Sequence, residues 1–133
     1  LPLRIERQSQ NAAKVSEFLE NNKNVSKVIY PNATDKNRKY FNKKLYGNLI
    51  GFYIDKGYEA CKTFIDKLKL FYHVANIGDV RSLAIHPSST THSQLSKEDQ
   101  KKAGVFDNYI RLSIGIEHID DIINDLDNAL SSI

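Results

Sequence analysis

The strongest constraint on the fold comes from the C-terminal end, where apolar residues recur at the spacing of one helix face. They are Ile119, Ile122, Ile123, Leu126, Leu130 and Ile133. Glu117, Asp120 and Asp121 are expected in the first turn of this helix, where acidic side chains complement the positive end of the helix dipole. A helix with one apolar face needs an apolar surface to cover, so the rest of the chain must supply a sheet or further helices.

The remaining pattern predicts strands alternating with helices. Apolar periodicity predicts helices over residues 3–20, from about 34 to 45 and over 58–69. A further helix over 96–104 is predicted by the Ser-x-x-Asp capping signature of Ser96 and Asp99 and by the stop at Gly104. Strand character is predicted for residues 25–30, 49–54, 70–75, 81–86 and 109–116, and residues 87–93 are predicted to be a loop without regular structure. This order implies one sheet covered by helices.

Composition limits the classes of protein. A chain of 133 residues with 41% hydrophobic and 26% charged residues forms one core, so we expect a single domain over residues 1–133. The net charge of +3 argues against nucleic-acid binding, and no apolar run is long enough to predict a membrane span. Because methionine is absent, we expect a piece of a longer chain. The single Cys61 lies in an apolar-periodic stretch, predicts a small buried side chain, and is compatible with the cytoplasm.

A basic segment between Lys36 and Lys44 leaves two interpretations open. Its aromatic residues Tyr40 and Phe41 could stack on nucleic-acid bases, which would make the chain a non-catalytic interaction domain. The same residues fall at helical spacing with Leu45, so core contact beneath a solvated basic face explains them and is favoured.

No self-contained catalytic motif is present. His86 and His92 have neither the spacing nor the additional ligands of a metal site, so we predict none and expect hydrogen-bonded loop histidines. The hydroxyl-rich run from Ser88 to Ser93 follows a strand. It could bind an anionic group with its hydroxyls and amides, or form a turn that satisfies its own backbone.

Arg111 is the most distinctive single residue, because it lies inside the apolar strand 109–114. A buried guanidinium needs a partner and would clamp a carboxylate through two parallel hydrogen bonds. The alternation with Ile110 and Leu112 also permits Arg111 to lie on a polar face together with Ser113, and the pattern alone favours that alternative. Arg81, beside Asp79, is expected to form a local ion pair.

Three stretches carry a resemblance to a known family. Residues 76–95 read NIGDVRSLAIHPSSTTHSQL, residues 110–117 read IRLSIGIE, and residues 1–11 read LPLRIERQSQN. Together they resemble the C-terminal domain of the Cys/Met-metabolism enzymes that use pyridoxal phosphate (PLP), most of all their O-acetylhomoserine sulfhydrylase branch. The match is looser over residues 31–54, where the family tends to be Gly-rich before its strand. The resemblance implies an α/β (α+β) two-layer sandwich with a mainly antiparallel sheet and helices on one side, the C-terminal domain of a fold-type I PLP-dependent transferase.

The resemblance also assigns residues. Arg111 matches the arginine that holds the substrate's α-carboxylate, Asn76 matches a position that helps to hold it, and Thr91 matches a threonine lining the substrate pocket. No Ser-x-Thr-Lys motif of the family's Schiff-base lysine occurs here. We therefore expect a C-terminal substrate-binding domain without a catalytic residue or bound PLP of its own, whose parent carries PLP in a separate large domain.

The expected parent is a cytoplasmic, homotetrameric sulfhydrylase that makes homocysteine from O-acetylhomoserine and sulfide. Its partners would be a small amino-acid substrate and its own large domain, with no nucleic acid and no membrane. The alternatives within the family are cystathionine γ-synthase, cystathionine γ-lyase and methionine γ-lyase. They share the arginine matched by Arg111, whereas residues 86–91 favour the sulfhydrylase.

Overall fold

A computed structural model describes residues 1–31, 39–40, 45–90, 92–104 and 106–133. The helices are α1 (Pro2–Glu20), α2 (Tyr58–Lys67), α3 (Lys97–Lys102) and α4 (Ile119–Leu130). The strands are β1 (Val25–Ile29), β2 (Leu49–Ile54), β3 (Tyr72–His73), β4 (Leu83–Ile85) and β5 (Tyr109–Ser113). The helix predicted to begin near residue 34 lies mostly outside the described residues.

The five strands form one sheet in the order β1-β2-β5-β4-β3. All neighbouring pairs are antiparallel except β3 and β4, which are parallel. The mainly antiparallel sheet is therefore confirmed. Strand β5 lies in the centre, where Arg111 is opposite Gly51 of β2 on one side and Ile85 of β4 on the other.

One face of the sheet packs against the helices. Alternate residues of β2 and β5 point into this layer and are buried. The ring of Phe52 in β2 packs edge-on against the ring of Phe64 in α2, with 5.6 Å between the ring centroids. The helices contribute buried side chains at helical spacing to the same cluster: Ala12, Val15 and Leu19 from α1, and Ile122, Leu126 and Leu130 from α4. The two-layer arrangement is confirmed, and the buried Cys61 is part of its core.

Several predicted strands are shorter in the structure, because side chains take up the backbone donors at their ends. The strand predicted over residues 70–75 begins only at Tyr72. The amides of residues 69–71 are not available to a neighbouring strand, because they donate to the carboxylate of Asp125 in α4 at 2.9, 2.8 and 3.2 Å. Before β4, the amide of Ser82 donates to Oε2 of Glu117 at 2.9 Å. Side-chain acceptors far along the chain therefore set these strand boundaries.

Two local expectations near the helices need correction and one is confirmed. Residues 87–93 are not wholly irregular, because Pro87–Ser89 form a short 3-10 helix. Glu117 lies outside α4, which begins at Ile119 after the N-cap His118. Ser96 caps α3 as predicted, accepting the amide of Asp99 at 3.1 Å.

Candidate substrate-binding face

Arg111 lies on the face of the sheet opposite the helices. Because side chains alternate along a strand, Tyr109, Arg111 and Ser113 share this face while Ile110 and Leu112 enter the core. Arg111 is half-buried, and no carboxylate of the described residues forms an ion pair with it. The structure thus confirms the face indicated by the alternation and leaves the guanidinium there without a protein anion.

Gly51 shapes the surface next to Arg111. A Cβ atom on Gly51 would lie 2.7 Å from Cε2 and 2.9 Å from Cζ of Tyr109, so the tyrosine ring occupies the space that a larger side chain would fill. Burial raises the pKa of Tyr109, Tyr53 raises it further, and the charge of Arg111 partly offsets this. The ring centroids of Tyr53 and Tyr109 are 5.3 Å apart. An aromatic surface therefore borders the guanidinium on one side.

Asn76 lies in the loop between β3 and β4 and is exposed. Its Oδ1 accepts the amide of Ile77 at 2.8 Å. Two residues further on, the amide of Gly78 donates to Oγ of Ser113 at 3.1 Å. This bond brings the loop that carries Asn76 onto the strand that carries Arg111.

The far end of the same loop is bonded to other elements. Gln8 of α1 donates through Nε2 to the carbonyl of Asp79 at 2.8 Å. Glu117 accepts the amide of Ser82 and, at 3.1 Å, its hydroxyl. Sequence reasoning missed Gln8, Glu117 and Ser113, because each bond joins residues far apart in the chain and leaves no local pattern.

Thr91, the third residue assigned by resemblance, lies outside the described residues. The hydroxyls before it already have hydrogen-bond partners within the chain. That of Thr90 donates to the carbonyl of His86 at 2.8 Å, that of Ser89 lies 2.8 Å from Nδ1 of His86, and Oγ of Ser88 lies 3.0 Å from Oε1 of Gln100. For residues 89 and 90 the structure therefore supports the self-satisfied turn over the anion site, and the hydroxyl of Ser88 bonds outside the turn.

His86 is a buried, hydrogen-bonded residue, as expected. Its Nε2 lies 2.6 Å from the carbonyl of Asp107, which therefore accepts from it, and Nδ1 lies 2.8 Å from Oγ of Ser89. Burial lowers the pKa of His86, which favours the neutral form of the ring. Within the described part of the chain, no group of three or more histidine, cysteine or acidic residues could hold a metal ion.

The local ion pair of Arg81 with Asp79 is confirmed. Its Nε lies 3.4 Å from Oδ1 of Asp79, and the guanidinium lies 4.3 Å from the centre of the Tyr72 ring. Of the basic segment, the described residues are Lys39 and Tyr40, and the lysine ammonium lies 5.1 Å from the tyrosine ring centre.

The residues described do not form a PLP site by themselves. A lysine that forms a Schiff base has to lose its proton readily, which burial promotes. Every lysine in the described ranges is exposed: Lys14, Lys23, Lys27, Lys39, Lys56, Lys62, Lys67, Lys69, Lys97, Lys101 and Lys102. This agrees with the missing lysine motif, so no reaction step is assigned to the cofactor on this chain.

One face of the sheet is covered by helices, and at the centre of the other face lies Arg111, which has no ion-pair partner among the described residues. Residues 1–131 match the family described as Cys/Met metabolism PLP-dependent enzymes, and the chain belongs to this family. No helix among the described residues is long and apolar enough to cross a membrane.

Individual relatives agree with this assignment. The chain is 52% identical to O-acetyl-L-homoserine sulfhydrylase of Leptospira meyeri, covering 100% of this chain and 31% of the relative. It is 39% identical to L-methionine gamma-lyase of Fusobacterium nucleatum subsp. polymorphum, covering 98% of this chain and 34% of that protein. A crystal structure of a putative O-acetylhomoserine (thiol)-lyase from Campylobacter jejuni, which contains a pyridoxyl-lysine monophosphate, superposes with a TM-score of 0.86 at 44% identity. That match covers 98% of this chain and 32% of the solved one, so the chain spans about a third of these relatives.

Proposed function

We propose that residues 1–133 are the C-terminal substrate-binding domain of a longer PLP-dependent O-acetylhomoserine sulfhydrylase. The parent joins sulfide to the γ-carbon of O-acetylhomoserine, releasing acetate and giving homocysteine. The observation that carries this proposal is the half-buried Arg111, which lies at the centre of the sheet with no carboxylate partner among the described residues. A desolvated guanidinium in that position favours a ligand that brings its own carboxylate.

In this proposal Arg111 binds the α-carboxylate of the substrate through its planar pair of N–H groups. Asn76 adds a neutral side-chain amide from the neighbouring loop, which orients the carboxylate, and Thr91 lines the pocket. The remaining part of the parent supplies PLP, its lysine and the reaction itself. The domain alone is expected to be inactive.

The comparisons favour the sulfhydrylase over methionine γ-lyase. Identity is 52% to the sulfhydrylase of Leptospira meyeri and 39% to the methionine gamma-lyase. A product assay separates these activities, because the sulfhydrylase gives homocysteine from O-acetylhomoserine and sulfide. Cystathionine formed faster with cysteine as the nucleophile, or breakdown of methionine, would favour the alternatives.

The clamp is tested by Arg111→Ala in the full-length parent. Removing one partner of a buried charged hydrogen bond costs about 2 kcal/mol or more, so KM for O-acetylhomoserine should rise about 30-fold. Arg81→Ala is the matched control, because Arg81 is exposed and paired with Asp79. An unchanged KM in the Arg111→Ala enzyme would contradict the assignment.

The assembly and location of the parent are further parts of the proposal. A homotetramer in the cytoplasm fits the family, and the single buried Cys61 fits a reducing compartment. Analytical ultracentrifugation of the full-length protein tests the assembly, and a monomer at micromolar concentration would contradict it.

A further inference from the structure

Ser113 joins the strand that carries Arg111 to the loop that carries Asn76. It follows Arg111 by two positions, so both side chains lie on the same face of β5, about 7 Å apart along the strand. Its hydroxyl accepts the amide of Gly78, two positions after Asn76. Ser113 is 2% exposed, so this bond is shielded from water.

A second side chain holds the hydroxyl in place. Asn48, which is buried just before β2, donates through Nδ2 to Oγ of Ser113 and to the carbonyl of Ile114, both at 3.1 Å. The backbone of Asn48 in turn accepts the amide of Ile114 at 2.9 Å. A hydroxyl oxygen has two lone pairs, so Asn48 and Gly78 use the full acceptor capacity of Ser113.

The loop geometry depends on this bond. Gly78 has φ +79°, a conformation that favours glycine, and its amide is thereby directed to β5. The neighbouring residues Asn76 and Ile77 are exposed. Among the described contacts, the hydrogen bond of Gly78 to Ser113 is the tie nearest to them along the chain that joins this loop to the sheet.

We propose that Ser113, held by Asn48, is a positioning residue. Its hydrogen bond with the amide of Gly78 is a latch that holds the loop carrying Asn76 over Arg111, so that the side chains of Asn76 and Arg111 can reach one substrate carboxylate. The proposal rests on the proposed function, since it assumes that Arg111 and Asn76 bind that group. It assigns Ser113 and Asn48 a role in recognition that acts through Asn76.

The first test compares Ser113→Ala with the wild type in the full-length, PLP-loaded parent. Loss of the latch should raise KM for O-acetylhomoserine about tenfold and leave kcat within about twofold, the scale of one buried hydrogen bond. Ser113→Thr keeps the hydroxyl and should retain the wild-type KM. Ser9→Ala is the matched control, because Ser9 is also buried and its Oγ has no partner among the described residues.

The second test asks whether Ser113 acts through Asn76. If it does, adding Ser113→Ala to Asn76→Ala leaves KM close to that of Asn76→Ala alone. Two effects on KM that multiply in the double variant would overturn the proposal, because they would show that Ser113 contributes independently.

The third test measures the hydrogen bond between Gly78 and Ser113 directly and does not depend on catalysis. Amide hydrogen exchange at Gly78 should be faster in Ser113→Ala than in the wild type, and unchanged in Ser9→Ala. Equal exchange at Gly78 in Ser113→Ala and the wild type would refute the latch.

Failure of the latch and failure of the proposed function give different results. If Arg111→Ala leaves KM unchanged, the carboxylate site is wrong and the positioning role falls with it. If Arg111→Ala raises KM while Ser113→Ala does not, the site stands and the latch alone is overturned.

Discussion

Asp125 joins α4 to the segment that leads into β3. Although acidic, it is buried, with 8% of its surface exposed. Its Oδ1 accepts the amide of Lys69 at 2.9 Å, and its Oδ2 accepts the amides of Leu70 and Phe71 at 2.8 and 3.2 Å. We expect its removal to be among the most destabilising polar substitutions in the chain.

The magnitude follows from the three bonds. A hydrogen bond to a charged acceptor contributes about 1.5 to 3 kcal/mol. Because Lys69 is exposed, its amide can bond to water after the substitution, whereas those of the half-buried Leu70 and the buried Phe71 are less able to do so. Two such losses at the lower end of the range give about 3 kcal/mol for Asp125→Ala. Asp125→Asn keeps one acceptor oxygen and should cost about half as much.

The assay is urea unfolding of the chain followed by far-UV circular dichroism. The matched control is Asp127→Ala, an exposed acidic residue in the same helix, which should change the free energy of unfolding by less than about 0.5 kcal/mol. The expected order of stability is wild type, Asp125→Asn, Asp125→Ala. A loss below about 1 kcal/mol for Asp125→Ala would refute the reasoning, since it would mean that water replaces the carboxylate at all three amides.

Three further predictions concern other buried positions. Gly115→Ala places a Cβ against the carbonyl oxygen of Val80 and 2.6 Å from the carbonyl carbon of Arg81, so it should lower Tm by about 5 °C or more, and an unchanged Tm would contradict that close approach. Burial raises the pKa of Cys61 to about 12, so at pH 8 the folded chain should react with a thiol reagent far more slowly than the chain in urea; equal rates would show that the thiol is accessible. Burial lowers the pKa of His86, so as the pH falls this histidine takes up a proton more readily in the unfolded chain than in the folded one. The free energy of unfolding should therefore fall as the pH drops below about 6.5. His86→Gln should flatten that part of the curve of unfolding free energy against pH, and an unchanged slope would count against His86 as its source.

Much of the fold could be predicted from the sequence, because local periodicity reports which side of an element is buried. The spacing of Ile122, Leu126 and Leu130 predicted α4, and Ser96 predicted the start of α3. Strand ends were predicted less well. The segment at residues 69–71 has strand composition, yet its amides bond to Asp125, more than fifty residues away.

The candidate site was likewise predicted only in part from the sequence. The alternation around Arg111 indicated its face, and the motifs resembling the family singled out Arg111, Asn76 and Thr91 as substrate-binding residues. Those roles remain predictions. The contacts that bring Asn76 toward Arg111 had no sequence signal, because Ser113 also fits an ordinary polar position in an alternating strand.

By itself the sequence determined α1, α2 and α4, the central strands and the side of the sheet on which Arg111 lies, since these follow from periodicities of two and of 3.6 residues. The tertiary structure decided which polar atoms meet: Ser113 with Gly78, Glu117 with Ser82 and Asp125 with the amides before β3. Each of these bonds closes a loop of more than thirty residues. Local pattern carries no information about which distant donor reaches a given acceptor, because that depends on how the complete sheet and helices pack.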